Sequence, residues 1–547
     1  MTPVPPDEPV GVAVVPGVGT ALAHGDRTWL LPGPAMPLPA ARLVWWRAAT
    51  TAPALVAAGV RPGSCWDLGA VHRLLYGGRR EDPAAVFSPD ADVAEPGRAA
   101  TEPTLLDLAS DADPVGATGA LSPDWASEPW TARPVPGDLE RSGRWAALAL
   151  QVQARQAAAL AALPDPRDRP VGPPLAVLTA YAESAAALLA VELAHDGLPV
   201  DRAAAEALLT AAIGPRPKDE QAARAGRDAR VLRHFPVSVD LRNPLQVRRL
   251  LARVGIDVPD TRSWRLEPHR ATSPGVAALL DWRKAERIAT TYGWSWLERH
   301  VGPDDRLRGS WGAADAAAGR MTASAGLHNL PAALRPAIAA EPGHLLVRAD
   351  LGQVEPRVLA VVSGDPGLTA AAREPDMYAP VAAQLGCDRA AAKVAVLAAM
   401  YGQTSGNAGA ALLRMERAYP QALAYLRAAE AVGRDGGELR TWGGRLLRFP
   451  GGGHGRFARN AVVQGAAAEL FKVWAATVRA ALPELGGQVV LCLHDELLLH
   501  VPQAAAEAAA DLLSRGLQEA AGRWAAGSGV RFAADVAAVR RWSDAKT

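Results

Sequence analysis

Cysteine is scarce: Cys65, Cys387 and Cys492 are the only three in 547 residues, and they stand too far apart for metal-ligand spacing. That excludes a disulfide framework and a cysteine-built zinc site, and it fits a reducing compartment. No uninterrupted apolar run is long enough to cross a bilayer, and the opening MTPVPPDEPV lacks a basic stretch followed by an apolar one. A cytoplasmic chain with no membrane partner is expected. No internal repeat is visible. The net charge of +1 announces no partner, but its distribution does more. From Glu81 to Glu140, 13 acidic residues and two Arg give −11, which leaves +12 on the rest of the chain. A basic surface for a polyanion is therefore plausible outside that segment.

The chain is long enough for several domains. Residues 1–76 mix short apolar runs, GVAVV and ARLVWW, with the helix-like WDLGAVHRLLY, which reads as a compact α/β module. Residues 77–140 are acidic and rich in Pro, Gly and Ala, and much of this segment reads as loop or linker. Residues 141–300 turn helical and basic, with Arg283 and Arg287 one helical turn apart in LLDWRKAERIATTYGW. The remainder alternates strand-like and helical stretches, with natural divisions near 301–385, 386–455 and 456–547.

The chemistry concentrates in that last part. VVLCLHDELLLHV, from Val489 to Val501, is apolar on both sides of His494, Asp495 and Glu496. Two short strands of about five residues, joined at the polar triplet, account for it. The triplet is then either a plain turn or the rigid tip that holds an acid for a metal. Asp350 ends a second apolar strand in HLLVRADLGQVEPRVLAVVSGD, where it could equally cap the following helix. Acids at the ends of neighbouring strands could hold a pair of magnesium ions. In DRAAAKVAVLAAMYG, Arg389 and Lys393 are four apart, and Leu397 and Tyr401 continue the stripe. Such a pair is either a solvated basic face or a clamp for a triphosphate.

Taken together and in order, these segments resemble the polymerase domain of bacterial DNA polymerase I, the family A DNA polymerases, from Gly319 to the end. DLGQVEPRVLAVVSGD resembles the first metal-binding motif, RAAAKVAVLAAMYG the nucleotide-binding helix of the fingers, and LHDELLLHVP the second metal-binding motif. GRMTASAGLHNLP, TWGGRLLRFP and RNAVVQGAAAEL also resemble family segments. The resemblance implies an α/β (α+β) multidomain chain: a right-hand polymerase with an antiparallel palm sheet, helical fingers and thumb. An N-terminal α/β exonuclease-like module would precede it. Residues 141–300 would be connection and thumb, 301–385 and 456–547 the two parts of the palm, and 386–455 the fingers.

Carried over residue by residue, the resemblance makes Asp350 and Asp495 the ligands of two Mg2+ ions, with Mn2+ as an alternative and Glu496 as a supporting acid. Arg389 and Lys393 would hold the triphosphate of a dNTP. Leu397, Tyr401, Gln353 and His494 would lie at the nucleotide, and Glu355 would exclude a ribose 2′ hydroxyl. Arg283, Arg287, Arg320, Asn329, Arg456, Asn460 and Gln464 would contact primer-template DNA, and the chain would act as a monomer. This sequence departs from the family at Leu351 (usually Tyr), Gly352 (Ser), Pro356 (Leu), Leu397 (an aromatic residue), and at His328 and Cys492 (both commonly Gln). No departure removes a metal ligand or a phosphate clamp.

The N-terminal module occupies the place of a 3′ to 5′ proofreading exonuclease, whose chemistry needs four acids. Before residue 165 the only Asp-x-Glu is Asp138 to Glu140, after Pro and Gly and with no apolar strand around it. Tyr76 is followed at four residues by Arg80, His24 at five by Trp29 and His72 at five by Gly77, so none supplies the last acid. Asp67 alone stands in a plausible helical context. A degenerate module is expected, with a bifunctional exonuclease and polymerase as the alternative. Two further rivals remain: a metal-dependent nuclease, which would have no use for the Arg389–Lys393 stripe, and a retired polymerase fold that only binds primed DNA.

Overall fold

The computed structural model describes residues 8–34, 41–89, 113–116, 119–315, 318–402, 408–493 and 495–545. The chain forms two compact units. One comprises Met1–Gly197, Ser310–Ala323 and Pro342–Val539; the other comprises Leu198–Gly309, Ser324–Glu341 and Arg540–Thr547.

Two larger sheets lie in the first unit. The N-terminal one is built from β1 (Pro9–Val15), β2 (Gly19–His24), β3 (Arg27–Pro32), β4 (Arg42–Trp45) and β5 (Cys65–Asp67), in the order β3-β2-β1-β4-β5. Strands β1, β4 and β5 run parallel, while β1, β2 and β3 form an antiparallel meander. The helix Asp138–Ala161 packs on β1 and β2. The approach is so close that a Cβ on Gly11 would lie 2.0 Å from the Ala146 carbonyl oxygen, so this strand position admits only glycine.

The helix that covers this sheet begins at Asp138, well past the expected boundary at residue 76. Within 77–140, much of which reads as loop or linker, Trp125 and Trp130 are buried against Trp145, which stacks on Trp46. Pro-rich composition sets an irregular backbone there, yet two indoles supply enough apolar area to anchor it in the core. Residues 90–112 and 117–118 of that segment lie outside the described residues. The stretch 141–197, expected with the thumb, belongs to the first unit.

Asp67 has a structural task. Its carboxylate accepts from Ala48 N at 2.5 Å and from Ala70 N at 2.7 Å, capping the helices Ala48–Ala57 and Leu68–Tyr76 together. Burial pushes its carboxyl up to about 7, against the pull of these two N–H groups. Replacing it leaves two buried donors without an acceptor, so Asp67→Ala is expected to cost about 1–3 kcal/mol of stability. Denaturant titration checks this, and an unchanged midpoint would contradict the capping role.

The helix Leu175–Asp196 is the one helix among the described residues long and apolar enough to cross a membrane, yet 72% of its apolar window is buried inside the fold. Its acids explain why it is a core helix. Glu183 takes the Lys472 ammonium at 2.8 Å on both oxygens and Arg445 at 2.7 Å, and Glu192 takes Arg479 at 2.6 Å. Burial pushes Glu183 up, but Arg445 and Lys472 outweigh it and hold the carboxyl below its ordinary range. The Lys472 and Arg479 pairs join this helix to the long helix Gly455–Ala481.

The second sheet of this unit comprises β6 (His344–Leu351), β7 (Gln488–Leu493), β8 (Glu496–Pro502) and β9 (Ala534–Val539), ordered β7-β8-β6-β9 and antiparallel throughout, as expected for a palm. Glu496 already pairs with Leu493 across β7 and β8, so it belongs to the strand rather than to the expected turn. Leucine- and valine-rich runs bury both strands.

The second unit is largely helical. Its core is formed by residues such as Val231, Leu250, Leu251, Leu279 and Trp282. Inside it, Glu286 receives Arg242 at 2.5 Å and Arg227 at 3.1 Å, a buried carboxylate made tolerable by its guanidinium partners.

Candidate functional site

The β6–β8 register brings the two candidate acids together. Asp350 stands opposite Glu496, and Leu351 N donates to the Asp495 carbonyl at 2.8 Å, so Asp350 and Asp495 leave adjacent strands at the same sheet edge. The Asp495 carboxyl is pushed up to about 6, first by burial and then by the charges of Asp350, Glu496 and Glu355. Such a crowd of carboxylates favours a cation, and hard oxygen donors suit Mg2+. Glu496 is buried, and His494 lies outside the described residues.

After β6 the chain turns through Gln353, whose φ of 58° is left-handed, into the helix Val354–Ser363, which ends at Gly364 with φ 62°. The turn places Glu355 in the first helical turn, where a carboxylate is favoured by the helix dipole. Glu355 pairs with Arg320 and accepts from Tyr401 Oη at 2.8 Å. Burial, followed by the neighbouring Glu355 charge, raises the Tyr401 phenol to about 12, so it stays a donor. Gln464 also reaches the Tyr401 hydroxyl. Sequence spacing had grouped none of Arg320, Glu355, Tyr401 and Gln464 as one contact set.

Tyr401 ends the helix Arg389–Tyr401. Asp388 caps its start by accepting from Ala391 N, and Gly402 closes it in a left-handed conformation. Arg389 and Lys393 are both exposed on it, and Leu397 is half-buried. Among the described residues Lys393 makes no hydrogen bond or ion pair. Arg389 is engaged: its Nε lies 2.6 Å from Asp376, which also accepts from Gln353 Nε2 at 2.7 Å. Gln353 is thereby tied to Asp376 and to Met377 N rather than left open. Asp376 was not singled out in the sequence; an acid two residues before Tyr378, in a loop between helices, gives little signal.

Arg456, Asn460 and Gln464 fall four apart on the helix Gly455–Ala481 and so share a face. Arg456 is exposed, and the buried Oδ1 of Asn460 has no hydrogen-bond partner among the described residues. In the second unit, Arg283 donates to the Thr261 carbonyl, and Arg287 to the Asn329 carbonyl at 3.5 Å. Tyr292 Oη donates to the same Asn329 oxygen at 2.7 Å, and the Asn329 side chain is exposed.

Sequence reasoning also missed Arg348 and Asp535. Arg348 is buried on β6 and paired with Asp350 and Glu496, while Asp535 on β9 stands opposite Asp350. A charged residue inside an apolar strand must find a partner, and that was the available signal for Arg348.

Three comparisons bear on this arrangement. A DNA polymerase I of Thermus filiformis is 31% identical over 298 residues, which is 48% of this chain and 36% of that protein. A DNA polymerase I of Chloroflexus aurantiacus is 33% identical over 280 residues, 44% of this chain and 30% of that protein. The matched stretch thus spans about a third of these relatives' length. The fold resembles the polymerase domain of Pol1 from M. smegmatis, solved in complex with DNA primer-template and dNTP. That likeness has a TM-score of 0.67 at 18% identity and covers 98% of this chain and 96% of that one. Residues 253–544 match the model of DNA polymerase family A; the match takes in every segment at this sheet edge and more than half of the sequence, and the chain belongs to that family.

Proposed function

We propose that the chain is a template-directed DNA polymerase that joins a dNMP to a primer 3′ end with release of pyrophosphate. One observation carries the reading. The Tyr401–Glu355 hydrogen bond ties the helix bearing Arg389 and Lys393 to the turn that follows Asp350. Residues suited to a triphosphate and residues suited to divalent cations therefore belong to one connected construction, which a simple nuclease would not need.

Asp350 and Asp495 would hold two Mg2+ ions, for which Mn2+ is an alternative; bound there, the ions would lower the barrier by stabilising negative charge on the reacting oxygens. Lys393 would meet the triphosphate as a point charge and Arg389 as a fork, after release from Asp376. The partner-free Oδ1 of Asn460 supports a role for its helix face in holding primer-template DNA. Arg283, Arg287, Arg320, Asn329, Arg456 and Gln464 would join it. Residues 301–385 and 456–547 would act as palm, 386–455 as fingers, and the second compact unit would contain the thumb. Extension of a labelled primer with Mg2+ and four dNTPs tests the reading; an unextended primer despite DNA binding would overturn it.

Glu355, held by Arg320 and Tyr401, would stand where a 2′ hydroxyl must fit. Glu355→Ala is expected to raise ribonucleotide insertion at least about tenfold relative to dNTP insertion, by removing bulk and charge. Competition between rNTP and dNTP on a defined template checks this, and equal discrimination by variant and parent would remove the gate.

The N-terminal module, in this reading, is a degenerate exonuclease relative that supports the fold or positions DNA. Strand β1, PVGVAVV, carries no acid. Asp67 is spent on two helix caps, and Asp138 accepts from Val135 N at 2.6 Å at a helix start. A mismatched primer with Mg2+ or Mn2+ and no dNTP should stay intact. Stepwise shortening that persists with Asp350→Asn and Asp495→Asn, and is lost on deleting residues 1–140, would restore the bifunctional alternative.

A further inference from the structure

Strand β6 carries a charge that the proposed reaction does not use. Arg348 precedes Asp350 by two residues, so both side chains leave the same face of the strand, and Arg348 is only 2% exposed. Its Nε lies 3.0 Å from Glu496 Oε1, and a terminal nitrogen donates to Glu496 Oε2 at 3.0 Å. The same terminal nitrogen donates to Asp350 Oδ2. Burying an arginine is unfavourable unless it is fully paired, and an apolar residue would fill a strand interior at lower cost. Its partners are the acids around which a cation would gather.

We propose that Arg348 is a positioning residue and a resident counter-ion: it withholds Glu496 and one oxygen of Asp350 from divalent cations. The nucleotide-free protein then binds such ions weakly, and full affinity develops only when a triphosphate adds its own oxygens. The consequence for catalysis rests on the polymerase reading; the binding claim does not. Without Arg348, Asp350 and its two cross-strand partners Glu496 and Asp535 would share one end of the sheet with no buried cation among them, open to stray metal in the wrong geometry.

Mn2+ titration of the nucleotide-free 547-residue chain, followed by the electron paramagnetic resonance signal of free Mn2+, tests it. The double variant Arg348→Met with Glu496→Gln removes both halves of the buried ion pair and leaves no unpaired charge. It is expected to bind Mn2+ about tenfold more tightly than the parent, because the Asp350 oxygen is released while the opposite charges of Arg348 and Glu496 leave together. Arg348→Lys keeps the charge but lacks the fork and should give a smaller gain. Adding Asp350→Asn should abolish the gain. Unchanged Mn2+ affinity in a double variant that melts cooperatively overturns the proposal, as does a gain that persists without Asp350. If the double variant does not fold, Arg348→Lys decides in the same way: tighter binding supports the role and unchanged binding overturns it. Tighter Mn2+ binding in variants of a parent that extends no primer would sink the polymerase reading and leave the counter-ion role standing.

Discussion

Asp350→Asn or Asp495→Asn is expected to lower primer extension by on the order of 10³-fold or more, with primed-DNA affinity within a few-fold of the parent. The two carboxylates leave adjacent strands at one edge of the sheet; Asp350 also meets Arg348, and Asp535 stands opposite it on the neighbouring strand. Glu496 is engaged by Arg348, and Glu355 by Arg320 and Tyr401. An amide preserves shape and hydrogen bonding while removing the charge that binds a divalent cation. DNA affinity should survive because phosphates are met mainly by basic residues elsewhere. Single-turnover extension alongside a filter-binding or anisotropy titration separates the two effects. Near-normal extension by either variant would remove the two-metal assignment.

The second large effect is expected at Lys393. It is the exposed cation of the helix Arg389–Tyr401 with no partner among the described residues, whereas Arg389 is already paired with Asp376. A triphosphate arriving there would find the ammonium free and desolvate it. Loss of such a charge partner costs roughly 2 to 5 kcal/mol, so Lys393→Ala should reduce kcat/KM for dNTP by about 30-fold or more. Arg389→Ala should do less in the first contact, because its guanidinium must first leave Asp376. Insertion rates over a range of dNTP concentrations check this, and an unchanged rate at low dNTP would refute the clamp.

Much of the site lay open in the sequence because its elements are local. The strand into Asp350, the hairpin at Asp495 and the stripe from Arg389 to Tyr401 each follow from a short pattern of apolar residues and a single polar interruption. The antiparallel sheet that unites them rested on family resemblance rather than periodicity. What the sequence hid was long-range. Arg348 reads as one charge in an apolar strand until its partner 148 residues away is known. Asp376 acquires meaning only when Gln353 and Arg389 converge on it. The extent of the N-terminal module is hidden for the same reason: composition marks much of 77–140 as loop, yet Trp125 and Trp130 are buried against Trp145, which stacks on the distant Trp46. Asp67 looked like a candidate acid because capping two helices at once cannot be seen from either helix alone.

The most direct test of the central claim is addition of one dNTP at a time, with Mg2+, to a labelled primer on templates that differ only in the next base. The account predicts growth by one nucleotide with the complementary dNTP, little with the other three, and none for Asp350→Asn. Growth indifferent to the template base, or no growth by the parent chain on DNA that it binds, would contradict it.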